Sequence, residues 1–283
     1  GDKGNGFYSY AYSVYTILLL LSSYSLPLAV SKMVSAKAQL GQWRNVKRVF
    51  ICAIAFAIGI GTTFGLTVLI GAQFFTRVFF HSELAAIALR FMAPTILIMA
   101  LLGVFRGFFQ GLQNTLPTAV SQIVEGLINA IMSVVFAYFL FDFGHGMDVA
   151  SGTTDLGYAW GAAGGAIGTG AGALAGLIFC FILFVAYRKI LAVNISRDKT
   201  GTQQEYGDIF RLMLSIALPV ILSTALYNLI ELVDGSLFNN IMASKGMEDV
   251  KDSMWGAYNA KALLLVHIPV SISSAMAVSL VPT

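Results

Sequence analysis

The stretch "RGFFQGLQNTLPTAVSQIVEG", Arg106 to Gly126, places one arginine, four side-chain amides and a glutamate in a chain that is 57% hydrophobic and 11% charged. Soluble domains carry about 25% charged residues, and the mean hydropathy here is +0.79. A soluble domain of 283 residues could bury a large core, but it would still need polar side chains to cover its surface. This chain has too few, so lipid must do the covering. The fold class that follows is all-α, a polytopic membrane helix bundle. Read in that frame, the stretch starts in a connection and runs into a span, carrying Gln122 and Glu125 into the bilayer while Arg106, Gln110 and Asn114 sit at its cytoplasmic interface.

Other classes fall away on composition and spacing. A net charge of +3 is too small for a nucleic-acid partner, and the basic residues lie in short connections with no accompanying stripe of exposed aromatics. Cys52 and Cys180 each lie in an apolar run, so neither a disulfide framework nor a CxxC site is available. His81, His145 and His267 have no second ligand at metal spacing. No P-loop, nucleophile elbow or HExxH occurs, which leaves no nucleotide partner, no cofactor and no enzyme to be read.

A span needs about 20 apolar residues to cross roughly 30 Å of hydrocarbon. Seven segments qualify: Phe7 to Ser31, Val49 to Phe75, Leu84 to Val104, Leu116 to Phe141, Tyr158 to Tyr187, Ile209 to Asn239 and Ala257 to Leu280. Lys32, Lys37, Arg44, Lys47 and Arg48 fill the first connection, and Arg188, Lys189, Arg197 and Lys199 the fifth. The fourth, about Asp142 to Gly157, holds Asp142, Asp148 and Asp155 with no base. By the positive-inside rule the chain starts outside and ends in the cytoplasm. A start outside the membrane without an initiator or a signal-peptide pattern reads as an internal stretch of something longer. Tyr8, Tyr10, Tyr12 and Tyr15 crowd the outer end of the first span, as an interfacial belt would.

Two features predict helix contacts. Gly164, Gly168, Gly172 and Gly176 recur every four residues in "WGAAGGAIGTGAGALAG", a groove that lets a neighbouring backbone approach. Pro27, Pro94, Pro219 and Pro269 interrupt four spans and are candidate kinks.

Ionisable residues inside spans include Arg90, Glu125, Glu231, Asp234 and Lys261. On insertion scales the strongly polar types cost roughly 2.5–3.5 kcal/mol each at a helix centre, so they should face a bundle interior or a wet cavity. The fourth span carries Thr118, Ser121, Gln122, Glu125, Asn129 and Ser133 at steps of three and four, and the sixth carries Thr224, Asn228, Glu231 and Asp234. Two polar stripes at helical period predict a hydrophilic cavity between helices. Arg90 and Lys261 are expected to meet Glu231 and Asp234 there, as a transport site or as ion pairs that hold helices together.

In order along the chain, "YSYAYSVYTILLLLSSYSLPLAVSKMVS", "LRFMAP" with "RGFFQG", "PTAVSQIVEG", "ALPVILS" with "LVD", and "HIPVSISSAMAVSLVP" resemble the multidrug/oligosaccharidyl-lipid/polysaccharide exporter superfamily. The likeness is strongest to its stage V sporulation protein B branch, which includes MurJ-type lipid II flippases. The resemblance implies a two-lobe transporter of fourteen helices, of which this chain holds helices two to eight. Residues 1–208 would form most of the first lobe with a cytoplasmic linker, and 209–283 would begin the second. "LAVSKMV" at Leu28 and "MAVSLVP" at Met276, closing the first and seventh spans alike, fit such a repeat.

The resemblance further implies alternating access in a bacterial cytoplasmic membrane, with a lipid-linked oligosaccharide as cargo among membrane lipids and with Na⁺ or H⁺ coupling. Arg90 and Lys261 would then neutralise a lipid-linked pyrophosphate, and Asp234 would match an acidic ion-coupling ligand. The alternatives are a drug/cation antiporter of the same superfamily, which needs an acidic aromatic cavity, and a membrane glycosyltransferase or ligase, which needs a large outer loop or clustered interfacial acids.

Overall fold

The computed structural model describes residues 1–21, 25–263, 265–266 and 268–269, with the backbone alone for Ala225, Tyr227, Asn228 and Glu231. Its elements are α1 (Asp2–Leu19), α2 (Leu26–Gln39), α3 (Trp43–Phe80), α4 (Ala85–Gly111), α5 (Leu116–Ser151), α6 (Leu156–Ser196), α7 (Tyr206–Ser244), α8 (Glu248–Ala257) and a π-helical turn (Tyr258–Leu263). No strand occurs among the described residues. The chain is a polytopic helical bundle.

Among the described residues five helical segments are long and apolar enough to cross a membrane: α3, α4, α5, α6 and the Tyr206–Thr224 part of α7. Seven were expected. The first expected span is instead two helices, α1 and α2, on either side of residues 22–24, and Pro27 stands in the first turn of α2, where its missing N–H is no loss. Most of the seventh, including "MAVSLVP" and His267, lies outside the described residues. The helices also outrun the hydrocarbon: α3 has 38 residues, about 57 Å at 1.5 Å per residue. The outer loop expected from Asp142 to Gly157 shrinks to residues 152–155, because α5 continues to Ser151 and α6 starts at Leu156. Asp148 makes that turn tight. Its carboxylate accepts from the Leu156 and Gly157 amides at 3.0 and 2.8 Å and from Thr153 Oγ1 at 2.7 Å, which satisfies the free N–H groups that open α6.

Two apolar clusters lie at opposite ends of the bundle. One joins α2, the first half of α3, the second half of α4, the later part of α6 and the start of α7, with Phe50, Phe105, Phe108 and Phe184 packed edge and face at its centre. This is the basic end, since Arg44, Lys47 and Arg48 in the first turns of α3 and Arg197 just after α6 border it. The other, at the far end, joins α1, the second half of α3, the first half of α4 and the first half of α6, with Leu232 and Trp255. Tyr10 and Tyr15 belong to it at 0% and 2% exposure. They are core residues, contrary to the belt reading; only Tyr12 of the four is classed as exposed. A tyrosine ring carries enough apolar area to join a core if its hydroxyl finds a partner, and Tyr10 donates to Asn239 Oδ1 at 3.0 Å.

At the basic end the 197–205 connection is fastened to the first turns of α3. Asp198 accepts from the Arg44 amide at 2.9 Å and from the Thr200 hydroxyl at 2.6 Å. Asn45 brackets the segment by donating to the Thr202 carbonyl at 3.1 Å and accepting from the Gln204 amide at 3.0 Å. Arg48 lies over the Tyr206 ring, 5.2 Å from its centre. The Arg44 and Thr200 amides and the Thr200 hydroxyl hold the Asp198 carboxyl down at about 2.

Candidate functional site

The glycine row of α6 behaves as its spacing predicts. A methyl group at Gly164 would strike the Phe136–Ala137 backbone, one at Gly168 the Ser133 backbone, and one at Gly172 would stand 2.6 Å from the Glu125 carbonyl. The row therefore holds α5 at backbone contact over about two helical turns, from Gly164 to Gly172. What fills the groove is the polar stripe of α5. Ser121 is fully buried, Glu125, Asn129 and Ser133 are half-buried, and Gln122 alone of the stripe from Ser121 onward is exposed. Short polar side chains suit such a seam because they lie flat over glycine and reach its bare carbonyls. Ser133 Oγ sits 2.8 Å from Asn129 Oδ1 and 3.3 Å from the Gly165 carbonyl.

Arg106 closes the seam from α4. It was expected at an interface, and it is instead buried in the bundle at 9% exposure. Its Nη2 donates to Glu125 Oε2 at 2.7 Å and its Nε to Ser121 Oγ at 2.8 Å. Ser121 in turn donates to the Thr118 carbonyl at 2.8 Å, and Gln110 Nε2 reaches Thr118 Oγ1 at 3.3 Å. Arginine's rigid fork serves a carboxylate and a hydroxyl at once, which is why the pair can sit where either charge alone would be costly. Asn114 is exposed and turns its side chain to the Leu116 amide at 3.2 Å, steadying the start of α5.

The other expected residues do not gather at this seam. Arg90 is exposed on α4 and Asp234 exposed on α7, each without a hydrogen-bond or ion-pair partner among the described residues. Lys261 is exposed and pairs with Asp2 at 2.8 Å at the head of α1. The side chains of Asn228 and Glu231 lie outside the described ones. The two stripes are therefore not joined by Arg90 or Lys261.

Beyond the seam, toward the far end, α1, α5 and α6 line an open cavity of about 820 Å³. Tyr8, Tyr138, Tyr158, Asn5, Asn129 and Ser133 give it aromatic faces, amides and hydroxyls, and no ionisable side chain other than tyrosine lines it. Tyr8 is placed by its hydroxyl, 3.2 Å from Thr169 Oγ1, and by stacking on Tyr12. Nothing in the sequence singled out Tyr138 or Tyr158, since an isolated tyrosine near a helix end has no periodic signature. Among the described residues no group of three or more His, Cys, Asp or Glu side chains could hold a metal ion.

The whole chain, residues 1–283, matches the model of a family described as polysaccharide biosynthesis protein. The chain belongs to that family. Its relatives in the polysaccharide biosynthesis family include the lipid II flippase MurJ of Bacillus subtilis (strain 168), 26% identical, and the stage V sporulation protein B of the same organism, 25% identical. An uncharacterized membrane protein, YabM, of that organism is 24% identical. Each match covers all of this chain, and the chain spans about half the length of these relatives: 52%, 52% and 49%. No solved structure matches it. The likeness to the sporulation protein B and MurJ branch of the exporter superfamily holds, and it makes the chain part of a multi-pass membrane protein related to flippases of lipid-linked saccharides.

Proposed function

We propose that this chain is part of a flippase that moves an undecaprenyl-pyrophosphate-linked saccharide, lipid II or a polysaccharide repeat unit, across the bacterial cytoplasmic membrane by alternating access. The observation that carries the reading is one continuous seam of buried polar groups across α4, α5 and α6 that opens into a roomy, uncharged, tyrosine-lined cavity, in a chain similar from end to end to a lipid II flippase. The cavity suits a sugar headgroup through ring stacking and amide or hydroxyl hydrogen bonds. The lipid tail stays in hydrocarbon, so no phosphate is stripped of its polar surroundings.

Arg106 is already neutralised by Glu125, which leaves Arg90 as the guanidinium for the pyrophosphate. Residues 1–208 and 209–283 would belong to opposite lobes, Asp234 would serve ion coupling by Na⁺ or H⁺, and the basic end would face the cytoplasm. A drug/cation antiporter would need a free acid in the cavity, and Glu125 is tied to Arg106. Flipping of a fluorescent lipid II by the full-length protein in liposomes tests the reading. Arg90→Ala is expected to slow it about tenfold, the worth of about 1.4 kcal/mol, with Arg90→Lys in between. An unchanged rate for Arg90→Ala removes Arg90 from the path, and a full-length protein that flips no lipid-linked saccharide overturns the reading.

A further inference from the structure

We propose that Asp252, buried where α8 crosses α1, is a proton-binding site that holds the far-end junction of α1, α7 and α8 together when it is protonated. The junction brings backbones into contact: Gly6 of α1 lies against the Asp252 carbonyl, and Gly256 of α8 against the Asp2 carbonyl. Trp255 is buried and stacks on Tyr10, 6.2 Å between ring centres, while Tyr10 stacks on Phe80 at the end of α3. Asp252 is 8% exposed in the middle of this packing, and its Oδ1 has no hydrogen-bond partner among the described residues.

The direction of the hydrogen bonds makes the protonation state matter. Asn239 is fully buried, and its Nδ2 donates to the Gly235 carbonyl at 2.8 Å, which fixes Oδ1 as an acceptor pointing at α1. The Tyr10 hydroxyl gives its single proton to that oxygen at 3.0 Å. The Tyr10 proton is thus committed to Asn239, so it is not available to pair with the Asp252 carboxyl. An ionised Asp252 therefore leaves Oδ1 a buried, charged acceptor with no donor among the described residues, whereas the protonated acid buries no charge.

Nearby lysines attract the carboxylate, but among the described residues none forms an ion pair with it. Lys251, its chain neighbour, is turned to the Phe80 and His81 carbonyls at 3.2 and 3.0 Å, where it closes the end of α3. Lys3 of α1 is held by Asp155 of the α5–α6 connection at 2.7 Å, and that aspartate adds a like charge. Lys261 is held by Asp2 at 2.8 Å. Burial therefore raises the Asp252 carboxyl above its ordinary range, against the opposing pull of Lys251, Tyr10 and Lys3. The packed junction keeps its proton when an exposed carboxyl has lost it. Packing is thus favoured at acid pH and weakens as pH rises from the ordinary carboxylate value through the raised one.

The use of this proton to drive transport rests on the flippase reading, whereas the site itself does not. Trp255 reports on the junction in the purified full-length protein once Trp43→Phe, Trp160→Phe and any other tryptophan replacements leave it as sole emitter, with His81→Gln removing a neighbouring titration. Acrylamide quenching of Trp255 is expected to rise about two- to threefold from about pH 5 to about pH 8. Asp252→Asn, which is neutral at every pH, should stay protected throughout. Asp252→Ser should be more open at every pH and equally flat. A parent that does not titrate, or an Asp252→Asn or Asp252→Ser protein that titrates like the parent, overturns the proposal. The measurement needs no cargo, so a failed flipping assay would sink the cargo reading and leave this one standing.

Discussion

The seam of α4, α5 and α6 and the junction of α1, α7 and α8 both bury a carboxylate beside a basic residue, and they resolve its charge in opposite ways. Glu125 has a permanent counter-ion, Arg106, on a facing helix, with Ser121 taking the remaining donor. Asp252 has a lysine next to it in sequence, but Lys251 is spent on the end of α3, so the acid is left buried with no paired cation among the described residues. A charge met by another fixed charge makes a strut, and a charge met only by neutral groups makes a site that responds to protons. Sequence proximity is no guide: the partners that pair are 19 residues apart, and the adjacent ones do not.

Overfilling the seam is the strongest way to break the comparison. Gly168→Leu would force α6 off the Ser133 backbone and should cost about 3 kcal/mol or more, seen as a large drop in thermal stability of the purified protein. Next is Arg106→Ala, which strands Glu125 inside the bundle. The loss should be about 2–3 kcal/mol by the same measurement, toward the low side of a buried pair because Glu125 keeps 24% exposure. Glu125→Gln retains a hydrogen-bond acceptor for Arg106 and should cost less, about 1–2 kcal/mol. If Glu125→Gln proves as damaging as Arg106→Ala, the seam depends on charge and not on hydrogen-bond geometry.

The smallest effect belongs to the basic-end connection. Asp198 has its folded value lowered to about 2, so its contribution is present above the ordinary carboxylate value and is lost as pH falls through the folded one. Asp198→Asn should modestly lower stability at neutral pH and flatten the acid limb of a stability-against-pH profile. A steeper acid limb in the variant would show that the carboxylate is not what fastens residues 197–205 to α3.

Much of this was legible in residue order. The glycine row announced a backbone-close contact because a four-residue period is a property of one helix, and α5 fills it as expected. The polar stripe of α5 was legible for the same reason, but its partner was not. Periodicity says which side chains share a face, not what the face meets: the stripe was expected to line a hydrophilic cavity between helices, and it packs against α4 and α6 at Ser121 and Glu125 while Asn129 and Ser133 also line the cavity. Arg106 looked like a loop residue because hydropathy falls at Gly103 to Asn114, whereas α4 runs to Gly111 and keeps it inside. The tyrosines of α1 were placed by a compositional habit of interfaces, and their hydrogen bonds to α6 and α7 come from residues more than 150 positions away.

By itself the sequence determined that the chain lies in a membrane, that it is helical, that α6 would be approached closely, and that charges inside spans had to be reconciled, because composition and single-helix periods are local quantities. Only the tertiary structure decided how: Arg106 against Glu125, Lys251 against the α3 carbonyls, Lys261 against Asp2, and Asp252 buried without an ion-pair partner among the described residues. The physical reason is that the stability of a buried charge depends on distances of a few ångströms between helices, and a one-dimensional pattern does not hold those distances.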